Sequence, residues 1–165
     1  MIYTTFDQLT NTQKTLIEAA AVALETAYNP YSQFYVGCAL LTSTGDIISA
    51  SNVENAAYGS TICAERMAIG KANSMGRRDL VALAVIGRGE GFLPDENDIT
   101  GPCGACRQMI YEASQIAGVD LELILAVPQK TRTVVTKISE LLPLPFGPKE
   151  LRVNIERYQT LAKPS

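Results

Sequence analysis

The chain has 165 residues, 47% of them hydrophobic and 19% charged, with a net charge of −3; such a chain can bury a core without a metal or disulfide to hold it together. The mild negative balance, in which the densest basic pair (Arg77-Arg78) is followed at once by Asp79, argues against a nucleic-acid polymer as substrate. No stretch nears the roughly 20 apolar residues of a membrane span and the opening residues have no basic and apolar leader, so a cytoplasmic protein without membrane contact is expected.

In chain order, residues 10–28 predict a helix. Thr10 or Asn11 can cap it, and Leu16, Ile17, Ala20, Ala21 and Leu24 recur at helical spacing until Asn29-Pro30-Tyr31-Ser32 breaks it. Residues 34–42 and 47–53 predict two strands joined by the turn Ser43-Thr44-Gly45-Asp46, a hairpin. Residues 62–75 predict a helix. Leu80 to Gly87 is a near-continuous apolar run, the pattern of a strand covered on both faces. Arg88 to Gly101 reads as a polar loop, and residues 103–117 as a helix ended by Gly118. Strands at 120–127 and 133–136, a helical turn at 138–142 and a trailing helix near 148–159 complete the chain. This order predicts an α/β fold: one domain over residues 1–165, a three-layer α-β-α sandwich around a mixed five-stranded sheet.

The chain contains no histidine, so a proton shuttle must come from another titratable side chain and a zinc site must use thiolates or carboxylates. Four cysteines are available. Cys103-Gly104-Ala105-Cys106, taken alone, reads either as a redox pair or as half of a zinc site. Cys63 opens the helix at 62–75, so both cysteine segments lie where a loop becomes a helix, and the helix dipole favours thiolates there. Three thiolates gathered from two helix starts leave the fourth tetrahedral position of a zinc ion free, the mark of a catalytic site. Glu65, two residues after Cys63, is a candidate acid–base beside it, although a first-turn glutamate also simply suits a helix dipole. Cys38, in the apolar run Val36-Gly37-Cys38-Ala39-Leu40, reads as a buried thiol; as a fourth ligand it would instead close the site into a non-catalytic zinc module.

Cys63-Ala64-Glu65 followed by Pro102-Cys103-Gly104-Ala105-Cys106 is the zinc-deaminase signature. With Tyr31 to Gly37, Asn52 to Tyr58, Leu141-Leu142-Pro143 and Phe146-Gly147-Pro148, the chain resembles the small, cysteine-only, animal-like cytidine deaminases over roughly residues 28 to 151. The resemblance implies a cytidine deaminase-like fold and one Zn²⁺ per subunit on Cys63, Cys103 and Cys106, with Glu65 as proton shuttle. It implies that Asn52 and Glu54 hydrogen-bond the ribose of a pyrimidine nucleoside, that Phe34 packs on the base and that the Ala64 backbone meets the base edge. It implies that Tyr58 and Phe146 act across subunits of a homotetramer, and that Arg66 donates hydrogen bonds to the thiolates. By position alone Phe34 also suits a core, Asn52 and Glu54 a solvated strand face, and Arg66 an exposed helix. The Ala68-Ile69-Gly70 run is shared with blasticidin S deaminase, a second candidate activity. Tyr35 and Cys38 depart from the proline and alanine common in the family.

Overall fold

The structure is a computed structural model that describes residues 1–90 and 99–160. Its strands are β1 (Ile2–Thr4), β2 (Phe34–Thr42), β3 (Ile47–Ser51), β4 (Leu80–Gly89), β5 (Glu122–Ala126) and β6 (Thr133–Lys137). Its helices are α1 (Asn11–Leu24), α2 (Ala64–Ser74), α3 (Gly104–Ala117), α4 (Ile138–Leu141) and α5 (Glu156–Thr160). The strands form one mixed sheet in the order β1-β6-β5-β4-β2-β3, where only β4 and β5 run parallel. The sheet therefore has six strands, not the expected five. The additional strand, β1, is three residues long and carries no readable alternation; it exists because it pairs with β6, with Tyr3 opposite Val134.

Period-two alternation divides the apolar residues of the sheet between two cores. Ala39, Ala82, Ala84, Ile86 and Ile124 pack with Leu16, Ile17, Ala20 and Leu24 of α1. Cys38, Leu40, Leu83, Val85 and Leu123 pack on the opposite face with Ala64, Ala68 and Ala72 of α2 and Ile110 and Ala113 of α3. The expected three layers are thus present, with α1 on one face and α2 and α3 on the other. Gly37 allows α1 to lie close on β2: a Cβ there would sit 2.0 Å from the Ala20 carbonyl oxygen and 2.7 Å from the Leu24 amide.

Several boundaries differ from the expectation. The helix predicted to 28 stops at Leu24, because Thr26 Oγ1 donates to the Ala23 carbonyl (2.8 Å) and the Tyr28 amide donates to the Asn52 carbonyl (3.1 Å), drawing the chain toward the sheet. The strand expected to reach Val53 ends at Ser51; Val53 leaves β2 and bridges Tyr28 and Ile62 instead. The helix predicted from 62 starts at Ala64, with Cys63 as its cap residue. The trailing helix covers 156–160 rather than 148–159, since Pro148 and a turn at 149–152 precede it. Most of the predicted polar loop, residues 91–98, lies outside the described residues, and β4 extends into its start. No described helix is long and apolar enough to cross a membrane.

Candidate metal centre

Cys63 caps α2 and Cys103 caps α3, both in extended conformation with no side-chain cap bond, so their thiols are left free for another partner. Cys106 follows one helical turn after Cys103. The three Sγ atoms lie within 4.8 Å of one another, and Cys103 and Cys106 are 3.5 Å apart. Four sulfurs or oxygens at a zinc–sulfur distance of about 2.3 Å stand about 3.8 Å from each other in a tetrahedron, so the cluster fits a zinc ion. All four cysteines are free thiols. Cys38 is fully buried in the α2/α3 core outside the cluster, and burial, then the charge of Glu65, pushes its thiol up. The closed four-cysteine arrangement is therefore not formed.

The electrostatics also suit a cation. The thiol of Cys106 hydrogen-bonds Cys63 and, with Cys103 and the Arg66 guanidinium, lowers the Cys63 thiol to about 6 against the opposing effect of burial. Cys106 is driven upward by that same bond and by burial. Three thiolates cannot share this volume without a positive ion between them. Glu65, in the first turn of α2, is 3% exposed. Burial raises its pKa, and the negative Cys63 adds to this, while a hydrogen bond from Cys106 and the Arg66 charge act in the opposite direction. A carboxyl raised toward neutrality beside a metal position can both accept and return a proton.

The remaining candidates fall into separate local arrangements. Asn52 is buried and clamps β2: its Oδ1 accepts from the Val36 amide and its Nδ2 donates to the Phe34 carbonyl, both at 2.9 Å. It therefore fixes the strand start that presents Phe34, which is 40% exposed. Glu54 Oε2 accepts from the Tyr31 and Ser32 amides at 2.9 and 3.2 Å. Partial burial opposes its ionisation, but the Ser32 hydroxyl and these amides outweigh it and hold the carboxyl below its usual range. Glu54 and Tyr58 share a hollow of 310 Å³ with Tyr31, Ser32 and Thr61, and the Tyr31 and Tyr58 rings meet edge to face at 5.7 Å. Ala64 begins α2 with its side chain buried. Phe146 lies elsewhere in this chain, lining a separate cavity of 170 Å³ beside Gln108 and Glu112. A larger hollow of 620 Å³, between Ser114 and Leu144 at the far end of α3, contains none of the cluster residues.

The role of Arg107 is not evident from the sequence: Nε donates to the Pro102 carbonyl at 2.9 Å and so braces the loop ahead of Cys103. The two amides that hold Glu54 are also invisible there, although the Pro30-Tyr31-Ser32 turn marks where free backbone donors occur.

The chain matches the family model of the cytidine and deoxycytidylate deaminase zinc-binding region over residues 10–120. It is 44% identical over 136 residues to the cytidine deaminase of Halalkalibacterium halodurans, covering 82% of this chain and 95% of that one. It is 33% identical over 135 residues to the blasticidin-S deaminase of Bacillus cereus, covering 79% of this chain and 89% of that one. Its fold matches the crystal structure of cytidine deaminase from Burkholderia pseudomallei with a TM-score of 0.70 at 41% identity, over 84% of this chain and all of the other. The matched region contains the three clustered sulfurs and the buried carboxylate, and the chain belongs to the cytidine deaminase family.

Proposed function

We infer that this enzyme deaminates cytidine or 2′-deoxycytidine hydrolytically, giving the corresponding uridine nucleoside and ammonia. One observation carries the reading: the buried carboxyl of Glu65 adjoins a three-sulfur cluster that can hold a catalytic rather than a structural metal. Cys63, Cys103 and Cys106 hold a single Zn²⁺ per subunit, and Arg66 donates to the thiolates, moderating their charge. When bound, the ion supplies the positive charge that makes water a usable nucleophile at neutral pH.

Glu65 accepts a proton from the attacking water and delivers it to N3 of the cytosine ring. The water oxygen bonds C4 as this happens; Glu65 then takes the second proton from the new C4 hydroxyl and passes it to the exocyclic amine, so that the C4–N bond breaks, the C4–O bond becomes a carbonyl and ammonia leaves. Its raised pKa, caused by burial, suits both transfers. Phe34 packs on the pyrimidine, and the Ala64 backbone meets the base edge. Glu54 and the remaining Nδ2 hydrogen of Asn52 bind the ribose hydroxyls. The backbone bonds that hold both side chains still support this reading, because a pre-positioned polar group loses little freedom on binding.

Tyr58 and Phe146 complete the site from neighbouring subunits of a homotetramer. Their exposures of 73% and 60% support a covered role in an assembly, and Phe146 lines a cavity separate from the Glu54 hollow of its own chain. A free nucleoside in the cytoplasm is the substrate.

Metal analysis of the purified protein, with cytidine and blasticidin S turnover followed in parallel by ultraviolet absorbance, tests this. Stoichiometric zinc and faster loss of cytidine are expected. Preferred turnover of blasticidin S, or full activity in metal-free protein, would overturn it.

A further inference from the structure

The main chain around Phe146 is held firmly while its ring is left in the open. Arg107, directly after Cys106, donates from Nη1 to the Leu141 carbonyl at 3.2 Å and from Nε to the Pro102 carbonyl. Gln108 donates from Nε2 to the Phe146 carbonyl at 2.7 Å. One turn along α3, a Cβ on Gly147 would lie 2.6 Å from Cε1 of Tyr111, so the segment lies flat against that ring. The Gly147 amide donates to Glu150 Oε2 at 2.8 Å. Between these points Pro143 and Pro145 restrict the backbone, and Leu144 takes a left-handed φ of 53°. Residues 141–147 thus form a stiff strap fastened at both ends to α3, whose cap residue is Cys103 and whose first turn carries Cys106.

We propose that Arg107 and Gln108 are positioning residues that couple the metal-binding start of α3 to the strap presenting Phe146. The proposal rests on the deaminase reading for the task of Phe146, but the coupling itself is mechanical. Were Phe146 present only to fill a core, its ring would be buried and its backbone free to settle; the reverse is found. A fastened backbone beneath an exposed ring is the arrangement of a side chain held ready to cover a ligand. The tie lies within one protomer, so it acts in the same way whichever copy's pocket the ring covers. It also makes the pose of Phe146 depend on the metal: if the first turn of α3 loosens, Arg107 loses its hold on Pro102 and Leu141 together.

The test is Gln108→Met, which keeps the exposed side chain's length and removes the donor. It is expected to retain zinc and melting temperature, to raise KM for cytidine roughly three- to tenfold, the worth of one hydrogen bond, and to leave kcat within about twofold. Phe146→Ala is expected to raise KM as well, and adding Gln108→Met to it should change KM by less than about twofold, because both act through one contact. Amide hydrogen exchange supplies a readout without substrate. The peptide spanning 141–150 should exchange faster in zinc-loaded Gln108→Met, and in wild-type protein after chelation, than in the zinc-loaded wild type. Unchanged KM and unchanged exchange in Gln108→Met would overturn the proposal. A wild type inactive on cytidine would defeat the deaminase reading instead, and the exchange comparison would still decide the tie.

Discussion

Glu65 is the side chain for which burial and chemistry are most closely joined. A carboxyl 3% exposed in the first turn of a helix is costly to ionise, and that cost raises its affinity for a proton. Glu65→Gln keeps the shape and removes the group proposed as the shuttle. Zinc content and melting temperature should stay at wild-type levels, while kcat falls by at least about 10²–10⁴-fold, the usual worth of general acid–base catalysis. Near wild-type turnover in this variant would disprove the assignment. The gathering of Cys63, Cys103 and Cys106 was legible because a three-thiolate site requires fixed residue types at fixed spacing around two helix starts. Asn52 was less so. Alternation along a strand suggested an outward-facing polar residue, whereas the side chain is buried and bonded to the backbone at both Val36 and Phe34. No periodicity reveals such a bond, which depends on where a neighbouring strand lies.

Among the elements, α1 and β2 meet more closely than any pattern of apolar residues requires. Gly37 makes the contact possible, and a methyl group there would collide with main-chain atoms of Ala20 and Leu24, which cannot rotate away. Gly37→Ala is expected to destabilise the protein by about 2 kcal/mol or more, lowering the melting temperature by about 4 °C or more. Thermal unfolding followed by circular dichroism measures this, and an unchanged midpoint would show that α1 can slide off β2 without loss. The long helices and apolar strands were legible as elements, since their periodicities extend over many residues. Their ends were not. The stop of α1 at Leu24 depends on the Tyr28–Asn52 hydrogen bond, and the departure of Val53 from β3 depends on Ile62. Both are contacts between separate segments, 24 and nine residues apart, that local composition does not encode.

At the scale of the whole molecule, the cluster joins segments 40 residues apart, the starts of α2 and α3 on one face of the sheet. An ion held only by the folded arrangement adds its binding free energy to stability. Chelation should therefore lower the melting temperature by several degrees, and re-addition of zinc should restore it. Differential scanning fluorimetry with and without a chelator tests this; equal midpoints would show that the two helices stay in place without the metal. The three layers were legible from the alternation of helices and strands. The sixth strand was not, because β1 and β6 are separated by more than 120 residues and only the fold brings them together.

That short strand has a further consequence. An open sheet flank is a template on which another molecule can lay a strand, and β6, with Val134 and Val135 at its centre, would be an inviting one. β1 occupies it from Thr133 to Val135, and at this edge of the sheet it leaves a new rim only three residues long, a brief template for strand addition.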